Sequence, residues 1–213
     1  MNTINCKLCN STCSEIIEYK QEKYYYCSGC ELIFLDENFI PGPAEEKARY
    51  QEHDNTHQNE GYVKMFERFI NRALVSWWDG VETVLEFGCG PGPVLADLLE
   101  DEGFLVDKYD PCFFPEKVYK NKKYDLITAT EVFEHLQAPF SVMELLLAHL
   151  SEKGLLAIMT SFHPGPEKFK DWWYKWDPTH ICFFNESTFS WLAEEFSLNI
   201  KFIGDEKYCL LQK

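Results

Sequence analysis

The sequence predicts a mixed α/β fold: a mostly parallel sheet covered by helices on both faces, with an antiparallel hairpin at its C-terminal end and a small cysteine-rich domain before it. Three observations predict this fold. Strand-like and helix-like segments alternate from Val81 onward, as in parallel sheets. The last two strand-like segments, 198–205 and 208–213, are joined by so short a turn that they must pair antiparallel. Five of the nine cysteines lie in the first 30 residues.

Composition limits the class of protein. The 213 residues suit one sizeable domain, or one domain with a small addition. Hydrophobic residues make up 46% of the chain and aromatic residues 16%, which is enough for a packed core and excludes general disorder. The formal net charge of −15 repels phosphate backbones, so nucleic acid is not an expected partner.

The N-terminal residues carry neither the basic nor the apolar segment of a secretion signal. No segment reaches the roughly 18 uninterrupted apolar residues of a membrane span. We therefore expect a soluble, cytoplasmic protein with no membrane partner. In a reducing compartment, crowded cysteines indicate a metal site rather than disulfides.

Two C-x2-C pairs lie seventeen residues apart, a spacing typical of four-thiolate zinc sites. The four cysteines are Cys6, Cys9, Cys27 and Cys30. Residues 15–26 between the pairs predict two short strands around a turn at 20–23, which would bring the pairs together. Four unrelated thiols are the alternative, but a segment of about 40 residues rarely folds without a metal or a disulfide.

A four-sulfur site accepts zinc or iron. We expect zinc, in a structural role because four thiolates leave no open position.

Three segments follow from these signals. Residues 1–41 form the predicted zinc-ribbon domain, which ends at the Pro-Gly-Pro sequence beginning at Pro41. The ribbon holds three lysines against six acidic residues and so lacks the basic stripe of an RNA-binding ribbon. Residues 42–80 form a helical linker or cap, because apolar residues recur at helical spacing between Tyr62 and Trp78. Residues 81–213 form the α/β domain.

Within the α/β domain the elements are predicted from local patterns. The predicted strands are 81–88, 104–110, 124–130, 155–162, 198–205 and 208–213, and the predicted helices are 95–102, 142–150 and 189–196. Ser141 with Glu144 predicts a capping box, and Gly154 predicts the C-terminal cap of the same helix.

A glycine-rich segment, VLEFGCGPGP at 84–93, follows an apolar strand and opens a helix. Glycines allow a sharp turn and let a ligand touch the backbone, and Pro93 suits a first helical turn. A dinucleotide-binding motif would have a third glycine at position 93. The segment therefore predicts a cofactor site, but a dinucleotide motif fits it only in part.

The pattern Glu86-x-Gly88-x-Gly90-x-Gly92, followed by Asp110 at the end of the next strand, resembles the class I S-adenosylmethionine-dependent methyltransferases. The resemblance covers residues 81–213 and implies a Rossmann-like sheet with a terminal antiparallel hairpin. It also implies that the glycines line the methionine and ribose of the cofactor, and that Asp110 accepts hydrogen bonds from both ribose hydroxyls. The predicted cofactor-binding residues are Glu86, Gly88, Cys89, Gly90, Pro91, Gly92, Asp110, Glu131 and Val132.

Two further features strengthen this resemblance. Residues 124–135 are similar to the fourth strand of the family and the turn after it, whose end approaches the cofactor. Asp125 and Glu131 could instead cap secondary structure, whereas Glu131 and His135 could reach the cofactor or the substrate. Tandem C-x2-C pairs ahead of such a core resemble bacterial zinc-ribbon methyltransferases, which include sugar C-methyltransferases and a large group without assigned substrates.

The acceptor is expected at the long connection 163–180, because extended loops at the carboxyl ends of strands hold substrates in doubly wound folds. Its aromatic residues could clamp a flat or hydrophobic acceptor, or could simply pack the loop; they are Trp172, Trp173, Tyr174 and Trp176. His180 is the first candidate base and His163 the second, although either histidine could merely hydrogen-bond a carbonyl. A polar linker could cover the pocket with Tyr50, His53, Asp54 and Asn55.

These patterns predict an enzyme that transfers a methyl group from S-adenosylmethionine to a small or carrier-bound acceptor and contains a structural zinc. A ribosomal RNA methyltransferase is one alternative, which the acidity of the chain disfavours. A non-catalytic interaction protein that retains the fold is another, disfavoured by the intact glycine loop. A nicotinamide-dependent enzyme is the third.

Overall fold

The structure, a computed structural model, describes residues 4–19, 22–52 and 55–213. Within these residues the strands are β1 (Ile4–Asn5), β2 (Thr12–Tyr19), β3 (Glu22–Tyr26), β4 (Ile33–Leu35), β5 (Thr83–Phe87), β6 (Leu105–Tyr109), β7 (Tyr124–Thr130), β8 (Leu150–Met159), β9 (Cys182–Phe183), β10 (Asn199–Gly204) and β11 (Tyr208–Gln212).

The helices of the same residues are α1 (Pro43–Gln51), α2 (Glu60–Phe69), α3 (Val94–Asp101), α4 (Pro139–His149), α5 (Pro166–Phe169) and α6 (Glu186–Glu195). Tighter 3-10 turns cover Glu37–Phe39, Phe133–His135 and Trp173–Trp176, and a wider π turn, Ile70–Leu74, continues α2. None of the described helices is long and apolar enough to cross a membrane.

The central sheet has the strand order β10-β11-β8-β7-β5-β6. Its four strands β6, β5, β7 and β8 are parallel, while β11 and β10 complete it as an antiparallel hairpin. This confirms the predicted mostly parallel α/β fold and its terminal hairpin. Because parallel strands end at a common edge, the loops that follow β5, β6, β7 and β8 meet there.

Both faces of β5, β7 and β8 are buried, and successive side chains of each strand point to opposite faces. One face packs with α2 and α3 through Val84, Leu126, Leu155, Ala157 and Met159. The other face packs with α4, α6 and the ribbon through Leu85, Ile127, Leu156 and Ile158. The strands therefore sit between two apolar layers, which fixes their carboxyl ends relative to each other.

A second sheet contains the ribbon and has the order β1-β2-β3-β4-β9. The antiparallel pairing of β2 with β3 confirms the predicted hairpin, although residues 20 and 21 of its turn lie outside the described residues. The fifth strand, β9, comes from the α/β segment of the chain and pairs antiparallel with β4. The ribbon sheet is thus completed by a strand that the sequence places in another domain.

Three local expectations differ from the structure. α4 begins at Pro139 and follows Ala138, which has no side-chain cap, so Ser141 lies in the first turn rather than at the cap. Gly154 lies inside β8 instead of capping α4, because the chain passes from helix to strand without a loop at Leu150. The helical linker predicted at 42–80 rested on apolar spacing between Tyr62 and Trp78, but the structure also has α1 before that segment, and none of the residues of α1 is buried.

Candidate active site

A large cavity opens at the carboxyl edge of the parallel strands. Its volume of about 1190 Å³ exceeds the roughly 300–1,000 Å³ of most small-molecule pockets, so it has room for two ligands. The loops after β5, β6 and β7 form one side of it, and α1 with the long connection (residues 163–185, between β8 and α6) forms the other. Predicted cofactor residues on its wall are Glu86, Gly88, Cys89, Gly90, Pro91, Asp110, Glu131 and Val132.

The glycine turn after β5 has left-handed backbone at Gly88 (φ 80°) and Gly90 (φ 65°), a conformation that side chains disfavour. A Cβ at Gly88 would lie 2.3 Å from Cγ2 of Val132, so only glycine lets the loop after β7 pack this closely. At Gly90 the nearest heavy atom to such a Cβ, Asn55 Nδ2, is 3.9 Å away. The turn is therefore closed beside Val132 and open at Gly90, toward the cavity.

Gly92 differs from the other two glycines. A Cβ there would lie 1.8 Å from the carbonyl oxygen of Asn55, so glycine is needed because the linker backbone crosses at this point. Gly92 is not among the described residues that line the cavity. The structure thus does not bring this predicted cofactor residue to the wall, and gives it a packing role instead.

Asp110 ties the glycine turn to the loop after β6. Its Oδ2 accepts a hydrogen bond from the amide of Gly90 at 3.1 Å, and its Oδ1 accepts from the amides of Cys112 (2.7 Å) and Phe113 (3.0 Å). Since each carboxylate oxygen can accept about two hydrogen bonds, Oδ2 has capacity for a ligand hydroxyl. The carboxylate is therefore fixed in place at the cavity wall.

Glu86 is 2% exposed and accepts a hydrogen bond from the amide of Ala96 at 3.1 Å. Burial raises the pKa of this carboxyl to about 8. A positively charged ligand in the cavity would favour its ionised form, because an opposite charge nearby stabilises a buried carboxylate.

Tyr174 joins two buried carboxyl groups that follow β7. Its hydroxyl lies 2.8 Å from Oε2 of Glu131 and also contacts Oε1 of Glu134. Burial, reinforced by the charge of Glu134, raises the pKa of Glu131 to about 8, and burial also raises the pKa of Glu134. One hydroxyl has one proton, so two carboxylates cannot both accept from it; the cluster must hold an additional proton. Sequence reasoning missed Glu134 in this role, although its spacing from Glu131 within one turn was a usable signal.

Two histidines lie beside this cluster, each held by a backbone carbonyl. Nδ1 of His180 lies 2.6 Å from the carbonyl oxygen of Tyr174, and Nδ1 of His135 lies 2.9 Å from that of Thr179. A carbonyl only accepts, so Nδ1 carries the proton in both rings and Nε2 is the nitrogen that can gain one. The two rings are 4.8 Å apart between centroids, and both line the cavity.

His163 lies elsewhere, at the contact between the long connection and the ribbon. Its Nε2 donates to the carbonyl of Glu31 at 2.9 Å, and its Nδ1 accepts from the amide of Gly165 at 3.1 Å. Burial lowers its pKa to about 4, which keeps the ring neutral. Within the described residues it does not line the cavity, so its placement gives no support to its prediction as a second base.

The aromatic residues of the long connection divide into two groups. Trp172 also lines the cavity, but it packs against Phe169, Tyr174 and Phe183, with ring centroids 5.2–5.9 Å apart, and so holds the connection down. Trp173 and Trp176 are each 61% exposed and lie on the cavity wall. These two side chains are placed to contact a ligand.

The linker covers part of the cavity, as predicted for Tyr50 and Asn55, which both line it. His53 and Asp54 lie outside the described residues. Arg49 of α1 binds Asp177 of the long connection, with Nη2 2.9 Å from Oδ2. Against the opposing effect of burial, hydrogen bonds from Thr179 and Arg49 hold the pKa of Asp177 well below its usual range. This ion pair links the two covers of the cavity.

The four predicted metal ligands meet at the end of the ribbon. Sγ of Cys6 lies 3.5 Å from Sγ of Cys30, Sγ of Cys9 lies 3.3 Å from Sγ of Cys27, and all four sulfurs are within 4.8 Å of one another. A tetrahedral zinc with bonds of about 2.3 Å would hold its sulfurs about 3.8 Å apart. The cysteines therefore fit such an ion. A second group within the described residues, Glu134 with His135 and His180, brings three possible ligand atoms equally close, beside the cavity.

A family model described as a methyltransferase domain matches residues 47–201 of the chain. The chain therefore belongs to this methyltransferase domain family and is an S-adenosylmethionine-dependent enzyme. The match begins inside α1 and ends inside β10, so it includes the four parallel strands and most of the residues that line the cavity.

Solved structures share the fold. A SAM-dependent methyltransferase from Archaeoglobus fulgidus is 16% identical with a TM-score of 0.54, over 72% of this chain and 94% of its own. The magnesium protoporphyrin IX methyltransferase of Synechocystis PCC 6803, solved with SAH, is 16% identical with a TM-score of 0.53, over 83% of this chain and 96% of its own. A comparison with curated proteins finds no match in sequence.

Gly88→Ala tests the closed side of the glycine turn. We expect it to lower the free energy of unfolding by about 1–3 kcal/mol, because the new Cβ meets Val132 and the backbone is left-handed. Chemical denaturation measures the effect. The double variant Gly88→Ala with Val132→Ala should recover part of the loss, since it removes the clash but not the backbone strain. Equal stability of the wild type and Gly88→Ala would contradict the packing described.

Glu86 should make stability depend on pH. Its pKa is about 8 in the folded protein and close to 4.5 when unfolded, so the folded state alone holds the proton between these values. The free energy of unfolding should therefore fall as pH rises from about 4.5 to about 8. Glu86→Gln should flatten thermal midpoints across this range, whereas the exposed Glu102→Gln should leave them unchanged. Parallel curves for wild type and Glu86→Gln would exclude a raised pKa.

Proposed function

We propose that this enzyme transfers the methyl group of S-adenosylmethionine to a small or carrier-bound acceptor in the cavity, and that a structural zinc ion holds its ribbon together. The observation that carries the proposal is the meeting of the open glycine turn and Asp110 on the wall of a cavity with room for both ligands. The family assignment supports methyl transfer as the chemistry.

In this proposal, the cofactor lies against the turn at Gly88–Gly90, and Oδ2 of Asp110 accepts a hydrogen bond from a ribose hydroxyl. Asp110 is already oriented by three backbone amides, so little ordering is needed on binding. The acidity of the wall suits this ligand, since the cofactor carries a sulfonium and an ammonium group. Glu86 contributes through its charge, because it lies on the wall and ionises more readily beside a cation.

The charges around the cavity also indicate the kind of acceptor. Its acidic wall residues are Glu46, Glu86, Asp110, Glu131, Asp177, Asp205 and Glu206. The described lysines and arginines on the wall are Arg49, which is paired with Asp177 and Glu52, and Lys207. Phosphate recognition needs clustered cations or open helix N-termini. We infer that the reacting part of the acceptor carries no phosphate, which also weighs against ribosomal RNA and against a nucleotide-linked sugar.

Methyl transfer is an in-line displacement at the sulfonium methyl, so alignment of donor and acceptor supplies much of the rate. An acceptor that must lose a proton also needs a base near the reacting atom. His180 is the proposed base, because it lines the cavity and the carbonyl of Tyr174 fixes its tautomer with the proton on Nδ1, which makes Nε2 the basic nitrogen of the neutral ring. Trp173 and Trp176 would contact the acceptor through flat apolar surfaces.

The proposed zinc would bind Cys6, Cys9, Cys27 and Cys30 as thiolates. Its chemistry is structural, since a four-thiolate ion has no open position for a substrate. Cys13 lies nearby, but its Sγ donates to the carbonyl of Ser11, which gives this fifth thiol a separate partner.

Asp110→Asn tests the cofactor site. We expect titration calorimetry to show S-adenosylmethionine binding weakened about tenfold or more, because hydrogen bonds to a charged group and the attraction of a cation are lost. Asp101→Asn, at the exposed end of α3, is the matched control and should bind normally. Wild-type protein that is folded yet binds no S-adenosylmethionine would favour a non-catalytic interaction protein. Preferential binding of a nicotinamide dinucleotide would favour a nicotinamide-dependent enzyme.

His180→Asn tests the base. Turnover of a metabolite extract with methyl-labelled cofactor should fall about 10²–10⁴-fold if the acceptor loses a proton, while cofactor affinity stays unchanged. His163→Gln keeps a side-chain donor for the carbonyl of Glu31 and should retain most of the activity. Loss of activity in His163→Gln with normal stability, and none in His180→Asn, would reverse the assignment.

A further inference from the structure

The ribbon contacts the long connection through the residues that directly follow its second cysteine pair. Glu31, next to Cys30, has left-handed backbone (φ 59°), and its amide donates to the carbonyl of Cys27 at 2.7 Å. This closes the turn that holds two metal ligands. The orientation of Glu31 is therefore set by the same backbone that places the sulfurs.

Glu31 makes two contacts across to the long connection. Its carbonyl accepts from Nε2 of His163 at 2.9 Å, and its carboxylate Oε2 accepts from Nδ2 of Asn185 at 2.8 Å. Asn185 is the N-cap of α6, since its Oδ1 accepts from the amide of Thr188 at 2.9 Å. One ribbon residue thus holds both ends of the long connection.

β4, the strand after Glu31, contacts the part of the long connection that contains β9. β4 pairs with β9 at Ile33–Phe183 and Phe34–Cys182, and the amide of Leu35 donates to the carbonyl of Ile181 at 2.9 Å. The amide of Ile181 in turn donates to the carbonyl of Glu134 at 2.7 Å. Ile181 is therefore fixed between the ribbon and the turn after β7, and it is the neighbour of His180.

The glycine turn, on the cofactor side of the cavity, makes its hydrogen bonds to β6 and to the loop after it. The amide of Gly88 donates to the carbonyl of Tyr109 at 2.7 Å, and the amide of Gly90 donates to Asp110 at 3.1 Å. These partners belong to the parallel sheet and the loop after β6. Among the described residues, the glycine turn and Asp110 are thus held without any hydrogen bond to the ribbon, and the hydrogen bond from Tyr174 to Glu131 is where the two halves of the cavity meet.

We propose that the metal-bound ribbon is the template that positions the acceptor half of the active site, with Glu31 as the positioning residue between the metal turn and the long connection. This inference rests on the proposed zinc site and on the proposed function of the cavity. It assigns the ribbon a role in catalysis through His180 and Tyr174, without contact between the metal and either ligand.

Hydrogen–deuterium exchange on the full chain tests the template. Compared with the zinc-loaded protein, protein stripped by a chelator should exchange about tenfold faster or more at 163–185, while β5 and β7 keep their protection. Calorimetry with S-adenosylmethionine should show affinity unchanged within about twofold. Unchanged exchange at 163–185, or a parallel loss of cofactor affinity, would overturn the inference.

Glu31→Ala provides a test that leaves all four cysteines in place. Zinc stoichiometry should stay at the wild-type value, while amides at 185–188 exchange faster because the side-chain contact to Asn185 is lost, and the imidazole ¹⁵N signals of His180 shift. Glu31→Gln should restore both, because its amide oxygen can accept from Asn185, and the exposed Glu37→Ala should change neither. Wild-type ¹⁵N signals of His180 in Glu31→Ala would overturn the positioning role. Zinc-loaded wild type that binds no S-adenosylmethionine would instead refute the proposed function, and the exchange comparison would still decide the template.

Discussion

The parallel pairing of β5 with both β6 and β7 is the constraint on which the site depends. It aligns Phe87 with Tyr109 and Glu86 with Thr128, so the glycine turn, Asp110 and Glu131 emerge from neighbouring strand ends. These groups are distant in the chain and share no local signal that would bring them together. Close packing on both faces of the sheet keeps the strands in register, and the register places the groups on one wall.

Burial of acidic groups sets the electrostatic character of the cavity. Glu86, Glu131 and Glu134 all have raised pKa values because the sheet and its covering loops remove water from them. Their ionisation is costly until a cation arrives, so a positively charged ligand gains an interaction that a neutral one does not. Burial of these carboxyl groups therefore connects the acidic composition of the chain with its preference for a positively charged cofactor.

The parallel sheet was predictable because its strands are apolar runs between glycine, proline and charged residues. The meeting of the four ribbon cysteines and the cavity at the glycine turn were also predictable, since C-x2-C spacing and a glycine turn after a strand are local patterns. The cluster of Tyr174 with Glu131 and Glu134 was not predictable, because the two glutamates are 43 and 40 positions away from Tyr174 and only folding brings them together. Asp125 has a structural role, which was one of its two predicted roles: its Oδ2 accepts a hydrogen bond from the amide of Thr83, at the edge of the sheet opposite the cavity. Gly92 was predicted to bind the cofactor and His163 to act as a second base, but long-range packing places Gly92 against the backbone of Asn55 and His163 against the carbonyl of Glu31.

The pairing of β4 with β9 has a consequence for how the chain reaches its native state. Glu31 and His163 are 132 positions apart, so the N-terminal sheet keeps an unpaired edge while most of the polypeptide is still being synthesised. Unpaired edges invite association with other chains. In the proposed zinc-bound form, early metal binding would hold this edge in one shape until β9 emerges from the ribosome.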